Sequence, residues 1–472
     1  MVVRYQERFR EMMAQAEVSP DSMRGLLDRL ATFVQPFCEP LDSTEQRRAA
    51  EYITGLLSGL EHKTAEGIAY LLDQDRQKLQ KFIGQSDWDH RPPLALLAER
   101  VGRRLGAADG VIVFDPSAFA KKGDKSVGVA RQWCGRLGKV ENCQVGVYMG
   151  YVSSVEHALV NFRLYLPEEW AKDRSRRNEA GVPKEIRFQT RHELALEMLA
   201  ESGRYLPHAW VTGDDEMGRP AHFRRELTAL GERYLLAVPS NTLIRDQEVA
   251  PPEYSGKGRH PKHPFLRVDD WAAQQPEGSW TKIEVRDGEK GPLEVEAVKC
   301  RVRARIETGG EGADELLFIT RIIQANQTYK FDYYPANAAA ATTLSELARV
   351  AKAEHRIEEC FERGKGEAGL GDYQVRNWPG WHRHQTLSLL AAWFLTEETR
   401  RGKNRDPRAD VAAVEAADRG SDRLLPRRQR VRQAMPTQHS LAAPQRAGEV
   451  LFPSFTQHHA EVEERTEALG IQ

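Results

Sequence analysis

Val111-Ile-Val-Phe-Asp115 is a continuous apolar run that ends on a carboxylate. A strand with one wet face would alternate polar and apolar residues, so this run reads as a strand buried on both sides. Outward from it, Asn142–Val152 and His157–Leu166 read as two longer strands, and Arg191–Ala200 as a helix. The strand Ala209–Gly213 runs directly into Asp214, and the helix Phe223–Leu230 and strand Tyr234–Val238 complete the series. The order is βββαβαβ, with one acid closing the first strand and another following the fourth.

That order matches a ribonuclease-H-like core, a mixed α/β sheet carrying acids at strand ends. Upstream, residues 1–105 read as helical, with apolar residues at helical spacing in Met23–Val34 and Ala49–Leu57. Lys63–Leu72 followed by Gln77–Ile83 fits a DNA-binding helix-turn-helix as well as an ordinary bundle. Pro92-Pro93 marks a break. The core then spans 106–240. Period-two alternation in Trp280–Arg286, Leu293–Ile306, Leu316–Ile323 and Tyr329–Tyr333 makes 241–335 a β-rich insertion. Helices return over 336–399. From 400 to 472 arginine is dense and apolar periodicity fades, so a disordered or weakly helical tail is expected.

Composition narrows the classes. The longest apolar runs, such as Leu387–Leu395, fall short of the ~20 residues a membrane span needs. The N-terminus turns charged at once, which argues against a secretory leader. Five scattered cysteines with no CxxC pair read as reduced thiols rather than a zinc ribbon or disulfide framework. The formal net charge of -1 averages 68 cations against 69 anions, and it leaves room for a locally basic groove.

Three acids stand out by placement: Asp115, Asp214 and, on a late helix, Glu358. Carboxylates so placed can converge on hard divalent cations. Two such ions about 3.5–4 Å apart suit an in-line phosphoryl displacement. After Asp115 come Lys121, Lys122, Lys125, Arg131, Arg136 and Lys139, with Trp133 and glycines between them. A flexible basic stretch of this kind suits a phosphate backbone and an unstacked base, and a solvated loop would look the same. Lys365 lies two turns from Glu358 on one helix face and could hold a phosphate beside the metal site. Arg383, between His382 and His384, could touch DNA, whereas metal ligation by those histidines is not expected. Trp271 and Trp280 are candidates to stack on a flipped base, against the commoner fate of core packing.

The stretches 113–145, Val211-Thr-Gly-Asp-Asp-Glu-Met-Gly218, 356–370 and Tyr373-Gln-Val-Arg-Asn-Trp-Pro-Gly-Trp-His-Arg-His384 resemble insertion-sequence transposases of the DDE superfamily, of the IS701 type within the IS4-like group. The resemblance implies that Asp115, Asp214 and Glu358 form a catalytic and metal-holding triad for two Mg²⁺ or Mn²⁺ ions. It implies double-stranded DNA as partner (the element's terminal inverted repeats and its target) and a homodimer on that DNA. It also implies a bacterial cytoplasmic enzyme at the nucleoid. Glu358 and Lys365 fit the group's Y-x2-R-x3-E-x6-K signature, but its Tyr and Arg positions hold Ala351 and Glu354. Glu367 is the rival third acid. A nuclease without strand transfer and a catalytically silent DNA-binding derivative remain the alternatives.

Overall fold

The computed structural model describes residues 24–288, 291–324, 326–374 and 376–405. It begins with five helices: α1 (Leu26–Cys38), α2 (Ser43–Leu56), α3 (Ala65–Leu71), α4 (Arg76–Gly84) and α5 (Arg91–Leu105). Asp42 opens α2 through a capping box with Glu45, and Thr64 and Asp75 cap α3 and α4. These side-chain oxygens take the amide protons that a first turn leaves unpaired. The Pro92-Pro93 pair does not break the chain. It lies in the first turn of α5, where a residue without an N–H costs nothing.

Next come β1 (Val111–Ala120), β2 (Ala130–Cys134), β3 (Lys139–Val152) and β4 (His157–Leu164), then α6 (Glu168–Lys172), α7 (Arg174–Glu179) and α8 (Arg191–Ser202). They are followed by β5 (Trp210–Gly213), α9 (Asp215–Gly218), α10 (Ala221–Ala229) and β6 (Tyr234–Leu236). The basic stretch read as a loop stays one over 121–129, and only its second half enters β-structure. β1 runs on to Ala120 along β3, and β2 pairs with the start of β3, placing Trp133 opposite Val140.

The second half contains β7 (Leu243–Asp246), β8 (Leu266–Arg267), α11 (Val268–Ala273), β9 (Thr281–Gly288), β10 (Gly291–Arg305), β11 (Glu311–Ile323) and β12 (Tyr329–Ala336). Two long helices close the described chain, α12 (Leu344–Glu367) and α13 (Trp378–Arg405). α13 carries helix past residue 400, where a tail was expected; positions 406–472 lie outside the described residues.

All twelve strands join one mixed sheet, ordered β2-β3-β1-β5-β6-β12-β11-β10-β7-β8, with β4 also on β3 and β9 on β10. β1 is antiparallel to β3 and parallel to β5, and β5 is parallel to β6. The β-rich segment extends this sheet through Ala336 beside Leu235 and the bridge between Val238 and Tyr333. It keeps a separate apolar cluster around Val268, Trp271, Val302 and Ile319. Trp271 is core there, its indole N–H donating to Asp246 at 2.8 Å, so the stacking role considered for it is not met. Trp280 remains half-buried, with the Arg321 guanidinium 4.4 Å over its ring.

The N-terminal helices share the main core with the sheet and α13. Phe33 meets Phe394 with ring centroids 5.2 Å apart, and Arg29 pairs with Glu398 at 2.6 Å. All five cysteines are buried free thiols. Among the described residues no helix is long and apolar enough to cross a membrane.

Candidate active site

Asp115 does not end its strand but marks where a partner leaves it. β5 pairs with β1 only as far as Phe114 beside Gly213, while β3 continues past Asp115 to Ala120. Asp214 follows Gly213 directly, so the two acids stand at one level on neighbouring chains. Gly213 is required for this: a Cβ there would come within 2.8 Å of the Phe114 carbonyl oxygen. Asp214 also caps α9, its Oδ1 accepting from the Met217 amide at 3.0 Å, which fixes the carboxylate's direction.

On α12 two carboxylates one turn apart differ in their surroundings. Glu358 is exposed, its side chain 64% accessible, and it turns to the His355 imidazole at 2.9 Å. The His355 hydrogen bond holds its carboxyl below the usual range. One turn earlier Glu354 points inward, and burial, with Asp214 next, pushes it up to about 8. Asp115 is raised well above the ordinary value, first by burial and then by Asp214, Glu354 and Glu358. Burial lifts Asp214 to about 7 against the pull of the Met217 amide. The Glu367 backbone carbonyl accepts from Lys63 at 2.6 Å.

Glu354 lies on the buried stripe Leu347, Val350, Ile357, Phe361, Gly364, where helical spacing calls for an apolar residue. In sequence, that break in the apolar period marks Glu354, which stands where the IS4-like signature has an arginine.

The predicted cations divide. Lys365 reaches back along α12 to donate to Ser117 Oγ at 2.8 Å, and its positive charge opposes the upward shift of Asp115. Lys122, Lys125, Arg131 and Lys139 are exposed, whereas the Arg136 side chain lies outside the described residues. Lys121 does not project outward. Its ammonium is bound to the Tyr373 carbonyl at 2.7 Å, and burial lowers it to about 8. Arg383 is buried, donating to the Trp88 carbonyl at 3.0 Å, and so ties α13 to the loop before α5 rather than meeting a ligand. His382 and His384 are likewise buried.

Among the described residues no three His, Cys, Asp or Glu side chains converge tightly enough to hold one ion. The donor chemistry nonetheless fits a hard divalent cation. Three oxygen-only side chains come within reach of one another's charge, each made hard to ionise by burial and the acids around it. A bound cation relieves that cost.

Residues 36–292, more than half of the chain, match the family described as DDE superfamily endonuclease. The chain belongs to that family. The matched span contains Asp115 and Asp214 and stops before α12, so it leaves the third acid to be read from geometry. The DDE-family chain is also 27% identical over 221 residues to the probable transposase for insertion sequence element IS701 of Microchaete diplosiphon. That match covers 45% of this chain and spans only 55% of the relative's length. A solved structure, the piggyBac transposase synaptic complex with hairpin DNA, aligns over 89% of this chain and 84% of its own at 11% identity. Its TM-score of 0.38 is too low to argue fold or activity.

Proposed function

We propose that this protein is a DNA transposase of IS701 type, which cuts at the ends of its element and joins the freed 3′-OH to target DNA. The observation that carries the reading is the grouping of Asp115, Asp214 and Glu354 at the point where β5 leaves β1. The antiparallel β4-β3-β1 and parallel β1-β5-β6 pairings support a ribonuclease-H-like core for residues 106–240. Membership of the DDE family and the likeness to an IS701 transposase support the reaction class.

In this reading Asp115, Asp214 and Glu354 hold Mg²⁺ or Mn²⁺, and Glu354 replaces Glu358 as the third acid. Two bound ions would supply activation of a nucleophilic oxygen and stabilisation of the leaving oxygen. The protein's part is positional. β1 and β5 fix two carboxylates side by side, and α12 lays the third across them. Lys365, anchored on Ser117, offers a cation to a phosphate oxygen on the Asp115 side. Exposed Lys122 and Lys125 continue that charge away from the cleft. Glu358, one turn out with His355, stands at the rim. Helices α1–α5 are assigned to terminal-repeat recognition, and a homodimer to the pairing of two ends.

The test is a labelled duplex carrying the element's terminal repeat, incubated with protein and Mg²⁺ beside Asp115→Asn. Cutting and joining by the wild type alone is expected. Cutting without joining would reassign the protein as a nuclease, and binding without cutting would make it a silent derivative.

A further inference from the structure

Beyond the acid cleft, α6, α7 and the loop to residue 187 form a second cleft of about 650 Å³. Lys172, Arg174, Arg177, Lys184 and Arg187 line it, with no carboxylate in its wall. Five like charges around one hollow repel each other, and the arrangement is favourable only when an anion neutralises them. The charges are held in place. Arg177 donates to the carbonyls of Ala171, Pro183 and Ile186, closing the loop on α7. Lys172 is shared with Glu168 at 2.7 Å. Arg174 and Lys184 are exposed and have no carboxylate partner among the described residues, and Arg187 bonds only backbone carbonyls.

The cleft also connects to the proposed active site. Arg176, on the same short helix, stacks 3.8 Å over Trp170 and donates to the Asp124 carbonyl at 3.0 Å. That bond fastens α7 to the Lys121–Lys125 segment following β1. Lys125, Arg176 and Arg376 line a smaller cleft between the two together with Asp124 and Glu179, and Lys125 pairs with Glu179 at 3.5 Å. Cations, partly offset by those two carboxylates, therefore run from the segment beside the acids to the five-cation cleft.

We infer that this cleft binds backbone phosphates of duplex DNA, continuing the track that leads away from the acids. The inference rests on the transposase reading, since it supplies the DNA that the track would hold. Unequal roles within the cleft set the variant. Arg174 and Lys184 are exposed and Arg187 touches only neighbouring carbonyls, while Arg177 holds the loop and is left in place.

The experiment measures binding of a duplex of arbitrary sequence to the full chain between 50 and 200 mM salt, for wild type and for Arg174→Ala/Lys184→Ala/Arg187→Ala. Each lost phosphate contact lowers the salt slope by about 0.9, so the variant's plot should be shallower by roughly 2 to 3. Its affinity at low salt should fall on the order of 10- to 100-fold. An Arg174→Lys/Lys184→Arg/Arg187→Lys variant, with the charges kept, should bind like wild type. Unchanged slope and affinity in the alanine variant would overturn the cleft while leaving the transposase reading standing. Failure of the wild type to bind any duplex would overturn both. Competition by pyrophosphate that depends on the three cations, with duplex binding untouched by their loss, would reassign the cleft to a small polyanion.

Discussion

Asp115 and Asp214 each follow directly on the last pair of the β1–β5 register, Phe114 beside Gly213, at the point where β5 gives way to α9. Burial first, and then the charge of Asp214, lifts Asp115 well above its ordinary range. Removing one charge should therefore separate function from stability. Asp115→Asn and Asp214→Asn are each expected to lose DNA cleavage by at least about 10²-fold. Their metal-free melting temperature at pH 8 should equal or exceed that of wild type. A cleaving Asn variant would remove its residue from the site.

Glu354 and Glu358 share a helix and differ in fate, so the pair decides the third acid. Glu354→Gln should abolish cleavage, by on the order of 10²-fold or more, because its carboxylate is in the buried cluster. Glu358→Gln removes an exposed partner of His355 and should keep activity within about 10-fold. The reverse order of effects would restore Glu358 to the role first read for it.

The same acids set a pH-dependent response to cations. In the unfolded chain these carboxyls ionise near ~4, whereas in the fold Asp214 does so at about 7 and Glu354 at about 8. Their folded values are raised, so they penalise the metal-free fold increasingly as pH climbs from ~4 to about 8. A divalent cation that takes the ionised forms should offset this. Mg²⁺ at about 100 times its dissociation constant would add ~2.7 kcal/mol. Melting curves should show a larger Mg²⁺ increment at pH 8 than at pH 6, and none in Asp115→Asn. An increment that is equal at both pH values would mean that the cation binds elsewhere.

Arg224 and Glu315 bind the two halves of the sheet together. The guanidinium on α10 meets the β11 carboxylate at 2.7 Å, the Tyr234 hydroxyl donates to the same oxygen at 2.6 Å, and Arg224 also donates to the Gly218 carbonyl that ends α9. All three side chains are buried. Arg224→Ala leaves a buried carboxylate without its cation and should cost about 3–5 kcal/mol in urea unfolding. A loss under about 1 kcal/mol would show that the pair carries little.

The strand-and-acid frame was legible because buried parallel strands leave unbroken apolar runs, and Val111–Phe114 and Trp210–Gly213 pair as such strands. Less legible was anything set by long-range contact. Arg383 and Lys121 look like DNA ligands in sequence, but carbonyls of Trp88 and Tyr373 capture them, and no local pattern announces an acceptor so far along the chain. The β2–β3 hairpin was hidden by its charge, since an exposed β-ribbon keeps few apolar residues. Glu354 could have been found, because a carboxylate in the stripe from Leu347 to Gly364 breaks an otherwise apolar period.

Two buried imidazoles, His382 and His384, and the partly buried His90 make the seam between the N-terminal helices and α13 acid-sensitive. His384 accepts from the Tyr52 hydroxyl at 2.9 Å on Nδ1 and donates Nε2–H to the Gly369 carbonyl at 3.0 Å, an arrangement that fixes the neutral ring. Burial lowers His384 to about 4 and His90 to about 3, and holds His382 well below its usual value. Each would take a proton near ~6.5 when unfolded and refuses it when folded. Their contribution to stability is whole above that pH and declines below it, by up to about 1.4 kcal/mol per pH unit per ring. The acid cluster works in the opposite sense over part of this range, so the total curve alone does not isolate the histidines. The difference between wild type and His384→Gln does. Urea unfolding at pH 7, 6 and 5 should show the wild type's advantage shrinking with acid as its own ring resists protonation. A difference that stays constant across those pH values would mean that His384 takes its proton as readily in the fold as in the unfolded chain.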